Sequence, residues 1–220
     1  MTFLFCNRFD MEADMRLYKE QILPKIVDRI CRSGPMSRQR QKIIPQASGH
    51  ILEIGIGSGL NLPFYDTRKV KSLTGLEPSA KMASMAVKRA KSTGISLEIL
   101  YTGADNIPLP SGVMDSVTMT YTLCTIPDAV SALKQMHRVL KPGGKLYFCE
   151  HGLAPDPKIQ GWQNRLTPMW KVLAGGCHLN RNIPELILKG RFSIKHINTM
   201  YLPGWRPGMF NYWGIAEKSL

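Results

Sequence analysis

The stretch Ile51-Leu-Glu-Ile-Gly-Ile-Gly-Ser-Gly-Leu60 constrains this chain more than any other. A short apolar run, His50–Ile54, ends directly on Gly55, Gly57 and Gly59 in GxGxG spacing. A strand that runs into such a loop opens a βα unit of a parallel sheet. The dinucleotide fingerprint GxGxxG would need glycine at position 60, where Leu60 stands. That fingerprint serves a pyrophosphate brought close to a helix N-terminus. Here Glu53 lies just before the loop. Its carboxylate would repel a pyrophosphate and suits a cationic, zwitterionic ligand. The glycines let the backbone pass close to such a ligand without a Cβ clash.

The rest of the chain alternates strand and helix. Leu60–Tyr65 opens a helix. Ser72–Leu76 is a second strand, Ser79–Lys91 a helix, Leu97–Thr102 a third strand and Met114–Tyr121 a fourth. Pro127–Leu140 carries Ala129, Leu133, Met136 and Leu140 on one helical face, and Lys145–Glu150 is a fifth strand. This pattern predicts parallel strands with right-handed crossovers. Residues 151–191 are rich in Pro, Gly and Trp and read as irregular. Phe192–Leu202 and Met209–Glu217 are close enough to form an antiparallel pair. Upstream, Met11–Cys31 reads as an amphipathic helix, with Met15, Tyr18, Ile22, Ile26 and Ile30 at helical spacing and Pro24 as a break. Arg32–Arg40 reads as a connection. One domain is expected: a helical lid (1–45), a cofactor-binding core (46–150), an acceptor-side insertion (151–191) and a terminal hairpin (192–220).

Ligands of open α/β sheets bind at the carboxyl ends of the strands. Glu77, followed by Pro78, ends the second strand and can accept from both hydroxyls of a ribose. Ala104, Asp105 and Asn106 follow the third strand, where Asp105 or Asn106 can receive an adenine amino group. Tyr121 and Thr122 end the fourth.

The order ExGxGxG, LEPS, GADNIPLP, MDSVTMTYTLC and RVLKPGG resembles the class I methyltransferases. The resemblance implies an α/β, Rossmann-like, seven-stranded, mostly parallel sheet with helices on both faces and a C-terminal antiparallel hairpin. It implies S-adenosyl-L-methionine as cofactor, held by Glu53, Gly55, Gly57, Gly59, Glu77, Pro78, Ala104, Asp105, Asn106, Tyr121 and Thr122. Further residues narrow it. Phe148-Cys-Glu-His-Gly152, Trp162, Pro168-Met-Trp170 and Gly176-Cys-His-Leu-Asn-Arg181 are similar to the family of animal microsomal alkyl-thiol methyltransferases and their bacterial relatives. The implied acceptor is a small apolar molecule such as a thiol. A phosphatidylethanolamine headgroup is the alternative, ahead of nucleic acid or a catalytically inert binding protein. In-line methyl transfer needs alignment above all, and a base only where the acceptor must lose a proton. His151, Glu150 and His178 are the catalytic candidates. Trp162, Met169 and Trp170 would line the acceptor pocket, and Tyr18 would close over the methionine tail.

The net charge is +13. Such a field favours peripheral contact with an anionic membrane or an acidic substrate. Nucleic acid is not expected, because Thr122-Leu-Cys-Thr125 replaces the (N/D)PP(Y/F) element of base-methylating enzymes and no added binding module is recognisable. No run reaches the ~18–20 apolar residues of a membrane span. The start, Met1–Cys6, lacks the features of a signal peptide, so a cytoplasmic protein is expected. The five cysteines are odd in number and form no CxxC pair. Single-residue spacings among Cys149, His151, Cys177 and His178 predict no metal site.

Overall fold

A computed structural model describes residues 17–218. Seven strands form one sheet: β1 (Gly49–Ile54), β2 (Val70–Leu76), β3 (Leu97–Leu100), β4 (Met114–Thr120), β5 (Leu140–His151), β6 (Phe192–Tyr201) and β7 (Phe210–Lys218). Their order is β3-β2-β1-β4-β5-β7-β6. The first five are parallel, and β7 runs antiparallel to both β5 and β6. The chain therefore moves outward from β1 to β3, then returns to β4 on the other side of β1. That reversal opens a crevice at the strand ends between β1 and β4.

Helices cover both faces, as expected of a mostly parallel sheet. On one face, Ala132, Leu133 and Met136 of α4 (Ala129–Val139) and Ile183 and Ile187 of α6 (Ile183–Lys189) pack on Val117, Met119 and Phe148. On the other, Ala86 and Ala90 of α3 (Ala80–Ala90) join Ile51, Leu73, Tyr147 and Cys149. Tyr147, Phe148 and Cys149 thus alternate between two cores, as a strand buried on both faces requires.

Several expectations are corrected. Arg32–Arg40 is not a connection: Gly34–Ile43 forms helix α2, which starts after Ser33 with Pro35 in its first turn. It buries Met36, Gln39, Arg40 and Ile43, a helical spacing hidden by two polar members. Leu60–Tyr65 yields only a single 3-10 turn, Leu62–Phe64, because Asn61 turns inward to bond Glu53 and Thr120. Residues 151–191 are not irregular. They hold the 17-residue helix α5 (Pro157–Leu173) and α6. Helix α5 buries a polar residue, Gln163, whose amide bonds the backbone of Gly152, Ala154 and Pro207.

The expected N-terminal helix is present as α1 (Leu23–Cys31), preceded by one π turn over Tyr18–Ile22. Its first residues, including Met15, lie outside the described residues. Its apolar stripe does not face the core: Ile22, Ile26 and Ile30 are exposed, and Pro24 and Asp28 are buried instead. Among the described residues, no helix is long and apolar enough to cross a membrane.

Gly59 has φ +78°, and a Cβ there would stand 3.0 Å from the Cα of Ala86 on α3. Gly112 has φ +70° and open space around it. In urea unfolding, Gly59→Ala should cost about 2–4 kcal/mol, from backbone strain plus displacement of α3, against about 1–2 kcal/mol for Gly112→Ala. Equal losses would mean that Gly59 does not set the approach of α3 to the loop.

Candidate active site

The crevice between β1 and β4 holds two adjoining cavities. Gly55, Glu77, Thr122 and Thr125 line both. The first extends past Gly57, Ser58 and Asn61 to Asp28, Cys31 and Arg40. The second extends past Pro78, Gly103, Ala104 and Asp105 to Ile126. Together they make one trough across the ends of β1, β2 and β4, with Glu77 at its middle.

Glu77 holds the trough's floor. Its Oε2 accepts from the Gly57 N–H at 3.0 Å and its Oε1 from the Ser79 N–H at 2.8 Å. Burial raises its pKa, against the pull of those two amides. Each oxygen retains a lone pair for a further donor. Glu53 is set differently. Asn61 Nδ2 donates to its Oε1 at 2.9 Å and the Tyr65 hydroxyl to its Oε2 at 2.7 Å. Burial pushes its pKa up to about 7. Glu53 lines the first cavity, and its two oxygens also fix residues that follow the glycine loop.

The glycine loop is left-handed at all three glycines, with φ +60°, +57° and +78° at Gly55, Gly57 and Gly59. At Gly55 the reason is a close approach: a Cβ would stand 2.4 Å from Thr122 Cγ2. Tyr121 is also left-handed, at φ +54°, which turns the chain sharply at the end of β4. The turn is held on three sides. Tyr121 N–H donates to the Cys149 carbonyl at 2.8 Å, its hydroxyl to Asn211 Oδ1 at 2.9 Å, and Thr122 N–H to Glu150 Oε1 at 2.9 Å.

Glu150 is fully buried, and its second oxygen has no hydrogen-bond partner. Burial raises its pKa to about 7. His151 follows, with Nε2 3.2 Å from Cys177 Sγ. A hydrogen bond from Cys124, together with His151, holds the Cys177 thiol well below its ordinary pKa despite burial. His151 is pulled both ways: burial lowers its pKa, and the Cys177 and Glu150 charges raise it, with a net rise.

Arg40 and Asp28, which sequence reasoning passed over, face the first cavity from the N-terminal helices. Arg40 is 3% exposed, lies 4.9 Å above the Tyr121 ring, and donates through Nη1 to the Cys31 carbonyl. Its Nε is buried without a partner. Asp28 accepts from the Ser58 hydroxyl at 2.5 Å and pairs with Arg32 and Arg89. Burial opposes its charge, but these partners hold its pKa below the ordinary value.

Most of the expected site residues therefore meet at the trough. Asn106 is exposed and, like Gly59, Glu150 and His151, is not among the residues lining it. His178 turns its Nδ1 onto the Cys124 carbonyl at 3.0 Å. Trp162 and Met169 are exposed, and Trp170 packs on Trp205, so none of the three lines the trough. The Tyr18 hydroxyl donates to the Leu173 carbonyl instead of closing over the cavity.

A family model described as a methyltransferase domain matches residues 52–148. The rat protein named thiol S-methyltransferase TMT1B is 32% identical over 174 residues, covering 77% of this chain and 68% of its own. The chain belongs to the class I S-adenosylmethionine-dependent methyltransferases. A demethylmenaquinone methyltransferase of Thermus thermophilus is 28% identical to this methyltransferase, covering 76% of it and 81% of the relative. Among solved structures, an S-adenosylmethionine-dependent methyltransferase of Thermotoga maritima aligns with TM-score 0.60 at 25% identity, covering 96% and 97% of the two chains. Geranyl diphosphate methyltransferase in complex with S-adenosylmethionine shares the fold, with TM-score 0.66 at 14% identity and coverage of 84% and 86%. The trough fits this cofactor. Arg40 offers an unspent donor to a carboxylate, and Glu77 offers acceptors to a diol.

Proposed function

We propose that this methyltransferase S-methylates a small apolar thiol. The observation that carries the reading is Glu150 Oε2, a fully buried carboxylate oxygen without a partner behind the Thr122 corner. A thiol is a good nucleophile only after it loses its proton, and a buried carboxylate whose pKa is raised to about 7 can accept one. The relatives named thiol S-methyltransferases support the same acceptor class. The cofactor supplies an activated methyl group for in-line displacement.

The chain's own residues then bind and align. Arg40 takes the carboxylate of the cofactor's amino acid tail through its free Nε. Glu77 accepts from the ribose hydroxyls, and Ala104 and Asp105 border the adenine in the second cavity. Thr122 stands at the junction of the two cavities, where the methyl group is presented. Val27, Cys31 and Leu60 add apolar surface to the first cavity for the acceptor. Glu150 accepts the proton while its Oε1 stays bonded to Thr122, so that the corner keeps its shape during transfer.

Calorimetry tests the cofactor assignments. Glu77→Ala should weaken S-adenosylhomocysteine binding by roughly 10–100-fold, as should Arg40→Met. Arg40→Met should leave binding of 5′-methylthioadenosine, which lacks the amino acid tail, unchanged. An equal loss for both ligands would remove Arg40 from the tail.

Turnover tests the acceptor. Short alkanethiols should yield methyl thioethers, and phosphatidylethanolamine vesicles should yield no product. Glu150→Gln, which keeps an acceptor for Thr122, should lower kcat on alkanethiols by about 100-fold and lower it far less on an acidic aromatic thiol already ionised at neutral pH. Methylation of the lipid amine with no thiol product would overturn the proposal.

A further inference from the structure

A cluster of soft donors borders the trough without forming its walls. Cys124 follows β4, His151 ends β5, and Cys177 lies in the loop after α5. Cys124 Sγ, His151 Nε2 and Cys177 Sγ all lie within 4.8 Å of one another. Both cysteines are buried, at 3% and 9% exposure, and both are free thiols. In a tetrahedral zinc site, bond lengths of ~2.0–2.3 Å place ligand atoms roughly 3.5–3.8 Å apart. His151 Nε2 and Cys177 Sγ, at 3.2 Å, are already close to that separation.

The three donors are held by a laced backbone. Cys124 O accepts from both the N–H of His178, at 2.9 Å, and its Nδ1. Arg181 spans the loop after β4, donating to the carbonyls of Leu123 and Ile126. The Leu153 N–H, just past β5, donates to the Arg181 carbonyl at 2.8 Å. The segments carrying Cys124, His151 and Cys177 are thereby tied together before any ligand arrives. Cys149 is outside the cluster, with its thiol 3.8 Å from Asn211 Oδ1. Along the chain, the spacings of these residues do not match a metal site. The donors converge from three separate elements.

We propose that Cys124, His151 and Cys177 bind a divalent cation of the zinc class, and that the remaining coordination position takes the sulfur of the acceptor. Two thiolates and one imidazole are a soft set that selects zinc over magnesium or calcium. Three protein ligands with one open position are the pattern of a reactive site, where four would close it. The location agrees: Thr122 and Thr125, on either side of Cys124, line both cavities of the trough. The role of the open position rests on the thiol reading above. The acceptor's S–H bond breaks as its sulfur meets the cation, and the proton leaves to solvent. A lone pair on that sulfur then forms the new S–CH3 bond. The electron pair of the breaking sulfonium C–S bond stays on S-adenosylhomocysteine. The two protein thiolates offset the cation's charge, which leaves the bound acceptor sulfur nucleophilic.

Cobalt(II) titration of the reduced, chelator-treated full chain tests this without relying on turnover. One cobalt per chain should bind, with near-ultraviolet thiolate-to-cobalt absorption and the intense visible bands of a four-coordinate ion. An added alkanethiol should shift the visible bands. Cys124→Ser, Cys177→Ser and His151→Gln should each lose this spectrum, and Cys149→Ser should keep it, with thermal melts confirming that every variant is folded. Only the weak spectrum of hydrated cobalt, or an unchanged spectrum in folded Cys177→Ser, would overturn the metal site. An unchanged spectrum on thiol addition would overturn the open position as the acceptor's seat. Thiol turnover by metal-stripped protein would refute the metal's role and leave the thiol reading standing. Metal binding with no thiol turnover would refute the thiol reading and leave the site standing.

Discussion

The carboxylate of Glu77 joins three parts that would otherwise be independent. One oxygen fixes the glycine loop after β1 through Gly57, and the other fixes the start of α3 through Ser79. Both bonds neutralise backbone donors that would be left orphaned in a buried crevice. Because β1 and β2 are parallel neighbours in register through Ile54 and Leu76, their ends arrive side by side and one side chain can reach both turns. The same carboxylate then stands between the two cavities. Its burial makes its charge costly, and only a ligand that donates hydrogen bonds recovers that cost fully.

Across the crevice, the end of β4 repeats the logic with Glu150. Tyr121 takes a left-handed turn, and the Thr122 N–H so exposed is caught by Glu150 from β5. Thr122 then presses so closely on the loop that only glycine fits at position 55. The walls of the trough are mutually fitted: β1 supplies the space, β4 fills it, and β2 and β5 each supply a carboxylate that holds the arrangement.

What was legible beforehand follows from how each feature is encoded. The strands, the loop glycines and the acids at strand ends are local in sequence, and the parallel topology follows from strand–helix alternation. Helix α2 escaped because its buried face includes Gln39 and Arg40, which count as polar in any apolar periodicity. Arg40 escaped as a site residue for the same reason, since its position over Tyr121 depends on tertiary packing. Helix α5 buries Gln163 and Thr167, so its pattern is nearly invisible to hydrophobic spacing. The Cys124–His151–Cys177 cluster is drawn from segments some 26 residues apart and has no local signature. Trp162 and Met169 misled in the opposite direction: large apolar side chains near a site suggested a lining, and both face solvent.

Amide hydrogen exchange at Gly57 tests the central claim most directly. If Glu77 holds the glycine loop, the Gly57 amide in ligand-free protein exchanges slowly, and Glu77→Ala raises its rate by at least tenfold while amides in β6 and β7 stay unchanged. A Gly57 amide that exchanges equally fast with and without the Glu77 carboxylate would contradict the account.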